Sequence, residues 1–229
     1  MHCRSGKQLW GSPGLRPRIS PVDRAILVFA KAPEAGKVKT RLIPALGTSG
    51  AAALYASLLE HRLASLPRDG SMAIELWCSP DCSHPLFQGF SAPHASHHFQ
   101  QGSDLGERMA HAARQALQRH RHIILIGVDC PALSPAQIRL AFNWLEAGDD
   151  AVLGPAEDGG YVLLGLRRSA NCLFDSLPWG SPEVASLTRS CLKDLGWNWR
   201  ELPTLWDLDR PEDLPRLIEL GWEPSQKRP

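Results

Sequence analysis

The sequence has no long apolar run, no excess of charge of either sign, no C-x-x-C pair and no internal repeat. Each absence excludes a class. No stretch approaches the 18 or so consecutive apolar residues that cross a bilayer, so no membrane span is expected. Lysine and arginine number 25 against 24 aspartates and glutamates, a formal charge of +1. That balance argues against a nucleic-acid binder living on a strongly basic surface. Six cysteines lie scattered at positions 3, 78, 82, 130, 172 and 191. In a chain of this size they read as reduced thiols of a cytoplasmic protein rather than a disulfide framework.

Cys78-x-x-x-Cys82 followed by His94-x-x-x-His98 approximates the spacing of a two-Cys, two-His zinc site. Pro80, Pro85 and Pro93 leave no helix to present both histidines, so zinc is set aside. The first residues are basic and proline-punctuated: Arg4, Lys7, Arg16, Arg18 and Arg24 stand against Asp23 alone, with Pro13, Pro17 and Pro21 between them. No apolar core follows, so they do not form a secretory signal. Residues 1–23 are expected to be a disordered basic leader, 24–223 one folded domain and 224–229 a flexible tail.

From Ala25 onward, short apolar runs alternate with amphipathic stretches. Ala25–Ala30, Met72–Cys78, Ser96–Gln100, His122–Val128, Ala151–Gly154 and Tyr161–Leu166 have strand length and composition. Residues 49–66 place Ala52, Tyr55, Leu58, Leu59, Arg62 and Leu63 at helical spacings. Asp104 with Glu107 opens a second helix, Ser134-Pro135 a third, and residues 182–195 form a fourth. A short strand near 200 precedes a last helix that opens around Asp209 and Pro211. Strand, helix, strand, helix predicts a single α/β domain, a mostly parallel sheet with helices on both faces.

Ligands of open α/β sheets collect at the carboxyl ends of the strands. Four loops there carry the chemistry. The first, Lys31-Ala-Pro-Glu-Ala-Gly36-Lys-Val-Lys39-Thr-Arg41-Leu, sets cations around a glycine turn and suits a polyphosphate. It is not a Walker loop, because Lys31 and Val38 stand where that motif needs Gly and Ser or Thr. The second holds Asp129 at the tip of a central strand, well placed for a hard divalent cation or a simple helix-capping turn. Glu157-Asp158-Gly159-Gly160 offers carboxylates beside paired glycines, open to a substrate or to a plain hairpin turn. Asp207 and Asp209, at alternate positions, would point the same way, and Asp209 could also cap the last helix. Cys130 reads as a core thiol, raised in pKa by its neighbouring carboxylate. Trp77 and Trp144 read as core, whereas Trp179 and Trp206 flank the loops, where they could stack on a base or sugar.

The set Lys31-Ala-Pro-x-x-Gly-x-Val-Lys-Thr-Arg-Leu42, Asp104-Leu-Gly-Glu-Arg-Met109, Gly-x-Asp129-Cys-Pro, Glu157-Asp-Gly-Gly-Tyr161, Trp179, Thr188 and Leu-x-Asp-x-Asp209-x-Pro-Glu-Asp-Leu214 resembles a bacterial family. It is the glycosyltransferase-A-like transferase family, also labelled radical-SAM/selenodomain-associated or arsenosugar-type glycosyltransferases, within the nucleotide-diphospho-sugar transferases. The likeness spans residues 25–215, and the Lys39-Thr-Arg-Leu42 segment is also similar to that of 2-phospholactate guanylyltransferases. The resemblance implies a single-domain, Rossmann-like GT-A fold with a nucleotide held by Lys31, Gly36, Lys39, Arg41 and Asp104. It implies Mg²⁺ (or Mn²⁺) on Asp129 with Asp209 or Asp207, and Glu157, Asp158, Gly159, Gly160 and Trp179 toward sugar or acceptor. Asp129 and Asp158 would be catalytic, Asp158 or Glu157 serving as base for an acceptor hydroxyl. The chain departs from its superfamily in a glycine-poor first loop and in Cys130-Pro131, which replaces an Asp-x-Asp.

The expected activity is metal-dependent transfer from a nucleotide-activated donor, foremost glycosyl transfer from a nucleotide sugar to a small acceptor. Nucleotidyl transfer with pyrophosphate release, and a non-catalytic nucleotide-binding module, are the rival readings.

Overall fold

The computed structural model describes residues 22–222. The expected leader and tail lie outside them, apart from residues 22 and 23. One seven-stranded sheet runs in the order β3-β2-β1-β4-β6-β5-β7. Its strands are β1 Arg24–Lys31, β2 Ala73–Ser79, β3 Ala95–Phe99, β4 His122–Ile126, β5 Ala151–Pro155, β6 Tyr161–Leu166 and β7 Trp199–Glu201. All pairings are parallel except those of β6, which runs antiparallel to both β4 and β5. The β5–β6 hairpin makes residues 156–160 a tight turn at the same sheet end as the C-termini of β1 and β4.

Among the described residues six α-helices accompany the sheet: α1 Ile43–Ser65, α2 Pro85–Gln88, α3 Leu105–Leu117, α4 Pro135–Ala147, α5 Val184–Asp194 and α6 Leu214–Glu219. Residues of α1 and α4 pack with Ile26, Val28, Ile74 and Ile124 on one face; α3 and α5 pack with Ala25, Leu27, Ile123 and Leu125 on the other. Adjacent residues of one strand thus enter opposite cores, which is why β1 and β4 are apolar throughout. Each fully buried Leu or Ile contributes roughly 1.5–3 kcal/mol.

Among the described residues one helical stretch, Thr40–Ser65 with a break at Gly47, could cross a membrane by length and composition alone, and 44% of its most apolar window is buried inside the fold. Two expectations need correction. Cys172 and Cys191 form a disulfide joining the loop after β6 to α5, rather than standing as separate thiols. Asp209 does not cap the last helix: Asp213 accepts from the backbone N–H groups of Asp209 and Arg210 instead. The other caps follow the sequence. Asp104 accepts from Glu107 N at 2.8 Å, and Ser134 and Gln137 form a complete capping box.

Candidate active site

Backbone hydrogen bonds stitch the loops together above the sheet. Leu205 N donates to Pro155 O, Glu157 N to Leu205 O, and Leu208 N to Asp129 O, at 2.8–2.9 Å. Side chains of all four loops thereby meet in one cavity of about 710 Å³.

One wall of the cavity is charged. Lys31, Lys37, Lys39 and Arg41 line it, facing Asp129, Asp158, Asp207 and Asp209. Lys39 adopts left-handed backbone, with φ 47° and ψ 42°, a conformation that costs a non-glycine residue roughly 1–2 kcal/mol. Its side chain is 4% exposed, and its ammonium lies 2.7 Å from Asp129 Oδ1 while donating to Leu208 O. Arg41 pairs with Asp209, whose hydrogen bond and charge push the guanidinium pKa up, and Lys37 pairs with Glu34. Asp207 has no ion-pair partner among the described residues. Burial, and then the charge of Asp158, push its carboxyl up to about 6, with Asp209 adding to the shift.

The opposite wall is aromatic. Trp179 and Tyr161 meet edge to face, with ring centroids 6.2 Å apart and planes at 84°. Leu105, Arg108 and Met109 of α3 and Val184 of α5 complete it. Trp179 is seated by Gly106: a Cβ there would fall 2.3 Å from Trp179 Nε1 and 2.3 Å from Phe174 O. The floor is formed by the ends of β1 and β4, with Tyr55 of α1 accepting from Lys31 N at 2.8 Å. Burial and the charge of Asp129 push the Tyr55 phenol well above its usual range.

Lys31, Lys39, Arg41, Asp129, Asp158, Gly160, Trp179, Asp207 and Asp209 come together in this cavity. Five further sequence candidates do not line it, among them Trp206, which packs beside Leu208 and Leu217 with Arg216 over its ring. Glu157 turns outward onto Arg216 in a bidentate pair of 2.8 Å contacts, which hold its carboxyl below the usual range. Gly159, at φ +88°, packs its Cα on the 182 carbonyl, where a Cβ would meet Pro182 O at 2.1 Å. Gly36 only shapes the first loop, at φ +80°, and Asp104 is spent capping α3. Tyr55, Gln100, Arg108 and Met109 line the cavity without having been singled out for it. Tyr55 fell into the apolar stripe of a helix, and no motif signal marked Gln100. Arg108 and Met109 were quoted only within a motif.

Cys78 is buried and its thiol raised by burial; Cys130 is buried too, and that burial, rather than the adjacent carboxylate, pushes its thiol up to about 11. Neither is a prepared nucleophile.

The oxygen-rich donor set suits a hard divalent cation. Asp129 Oδ1 is buried with the Lys39 ammonium as its ion-pair contact but no hydrogen bond, and burial together with the charge of Asp158 discourages Asp207 from ionising. Among the described residues no three such side chains are preassembled into a cage. Mg²⁺ needs none, since it is usually held by one or two carboxylates together with substrate phosphates.

Comparison with known proteins adds to this geometry. A family model described as "Uncharacterized protein conserved in bacteria (DUF2064)" matches residues 62–181. A crystal structure from Desulfovibrio desulfuricans G20, provisionally named a nucleotide-diphospho-sugar transferase, is 34% identical with a TM-score of 0.80, over 90% of this chain and 91% of that one. CMP:2-keto-3-deoxy-manno-octonic acid synthetase in complex with CTP shares the fold at 12% identity and TM-score 0.55, over 87% and 98% of the two chains. So does 4-diphosphocytidyl-2C-methyl-D-erythritol synthase from Anaerococcus prevotii DSM 20548, at 9% identity and 0.57, over 88% and 99%. No curated protein matches the chain.

Proposed function

The chain belongs to the DUF2064 family, and from that membership and the site we propose a metal-dependent transferase that moves a sugar from a nucleotide-activated donor to a small acceptor. One observation carries the reading: four cations and four carboxylates share one cavity above the carboxyl ends of β1 and β4. A diphosphate leaving group is held by such cations, and a divalent cation held by such carboxylates neutralises the charge that develops on it, an effect worth several kcal/mol. The 34% identical relative, provisionally named a nucleotide-diphospho-sugar transferase, supports a nucleotide-activated donor.

In this reading Asp129 and Asp207 would hold Mg²⁺ or Mn²⁺, with Asp209 beside them on Arg41. Lys31, Lys39 and Arg41 bind the phosphates. Asp158 Oδ1 is oriented by Gly160 N at 2.9 Å, which leaves Oδ2 to accept the proton of an acceptor hydroxyl. The Trp179–Tyr161 wall excludes water and offers ring faces to a sugar.

Nucleotidyl transfer is the second reading, favoured by the Lys31…Lys39-Thr-Arg-Leu42 segment. The protein is incubated with Mn²⁺, a panel of nucleotide sugars and nucleoside triphosphates, and small hydroxylated or phosphorylated acceptors. Release of nucleoside diphosphate supports glycosyl transfer, and release of pyrophosphate supports the second reading. Either turnover should vanish in Asp129→Asn; turnover that survives there removes Asp129 from the mechanism.

A further inference from the structure

We propose that Lys39 and Asp129 form a latch across the cavity, so that polyphosphate and divalent cation each bind weakly alone and strongly together. The inference rests on the metal-dependent reading above and adds to it a coupling built from this chain's own side chains.

The Lys39 side chain is 4% exposed and that of Asp129 47%, and Lys39 Nζ meets Asp129 Oδ1 at 2.7 Å and the carbonyl of Leu208. The carbonyl of Asp129 in turn accepts from Leu208 N at 2.8 Å, so the three residues close a ring. The left-handed backbone at Lys39 aims the side chain into that ring. The phosphate-binding cation and the metal-binding carboxylate are therefore each other's partner. A polyphosphate that draws Lys39 away leaves Asp129, whose side chain is 47% exposed but whose Oδ1 is buried, without its ion-pair partner. A cation that takes Asp129 leaves Lys39 facing positive charge. Taking Asp129 from Lys39 is the costlier step, because the lysine side chain is 4% exposed and its charge stays behind without a partner. When both ligands arrive, the partners exchange: ammonium to phosphate, carboxylate to metal. The coupling is reciprocal by thermodynamic necessity. Arg41–Asp209 beside it is open to solvent on the arginine side, 60% exposed, and contributes little to the latch.

The latch predicts that disabling either partner unmasks the ligand of the other. In the full-length protein, Lys39→Met should bind Mn²⁺ alone at least tenfold more tightly than wild type, read as loss of the free-ion signal in electron paramagnetic resonance. Asp129→Asn in EDTA should bind inorganic pyrophosphate at least threefold more tightly, read by calorimetry. Unchanged or weaker binding in either experiment overturns the latch. If Mn²⁺ binds wild type and Lys39→Met alike, the latch falls while metal-dependent transfer stands. If no form binds Mn²⁺, with or without pyrophosphate, the latch falls together with the metal-dependent reading.

Discussion

The guanidinium of Arg62 donates to the carbonyl oxygen of Cys130 at 2.6 Å, and to that of Leu133 at 2.8 Å, from a position 1% exposed on α1. Burial pushes its pKa down, and among the described residues no carboxylate pairs with it. A charged side chain is thus buried to satisfy two carbonyls of the turn that leads from Asp129 into α4. Helix α1 thereby sets where Asp129 stands.

Arg62→Met should leave the Leu133 carbonyl without its Arg62 partner and the Cys130 carbonyl with only Leu133 N at 3.3 Å, at about 1–3 kcal/mol per lost partner. Urea unfolding should show a loss of about 3 kcal/mol, accompanied by reduced turnover. A loss under about 1 kcal/mol would mean that the turn holds itself.

Glu75 on β2 is 2% exposed, hydrogen-bonded to Arg119 at 2.7 Å and to His120 at 3.3 Å. Burial alone would raise its pKa, but these hydrogen bonds and the charge of Arg119 outweigh it and hold the carboxyl below the usual range. A depressed folded-state pKa contributes stability that is present above the unfolded value and lost as pH falls through the folded one. Glu75→Gln should therefore destabilise the protein at pH 7, and its gap to wild type should narrow as pH drops below the ordinary carboxylate range. A gap that widens in acid would contradict the assignment. Urea midpoints across the acid range measure it.

The Cys172–Cys191 bond closes a loop of 19 residues that carries Trp179. Closing a loop of that size constrains the unfolded chain by about 3 kcal/mol. Protein purified without reductant should yield the cross-linked peptide on mapping, and reduction should lower the urea midpoint accordingly. Two free thiols in that map would sink the prediction.

Glu157→Gln should leave turnover within about twofold of wild type, because the carboxylate faces Arg216 outside the cavity. Arg216 in turn lies over the Trp206 ring, 4.7 Å from its centroid. A tenfold loss, measured as kcat/KM with the donor that the panel identifies, would return Glu157 to the site.

Much of the architecture was legible in the chain. Strand runs such as His122–Ile126 are apolar without alternation because both faces are covered, and that pattern is local. The Ser134-Pro135 and Asp104 starts were legible for the same reason: a cap acts within one turn. The antiparallel direction of β6 was legible only as an alternative: strand composition is blind to direction, and Glu157-Asp158-Gly159-Gly160 suits a hairpin turn as well as a substrate loop until the β5–β6 pairing decides it. The disulfide was likewise invisible, because Cys172 and Cys191 sit on different elements and their approach follows from how α5 docks.

Within the site, the sequence by itself determined which chemical groups are present and that they gather at one end of the sheet, because a parallel α/β order puts those loops at the strands' carboxyl ends. Tertiary structure decided the partners. Lys39 reaches Asp129, 90 positions away, Arg41 reaches Asp209, and Glu157 is diverted to Arg216. Charge pairing depends on distances of a few ångström between segments far apart in the chain, and no local pattern encodes those distances.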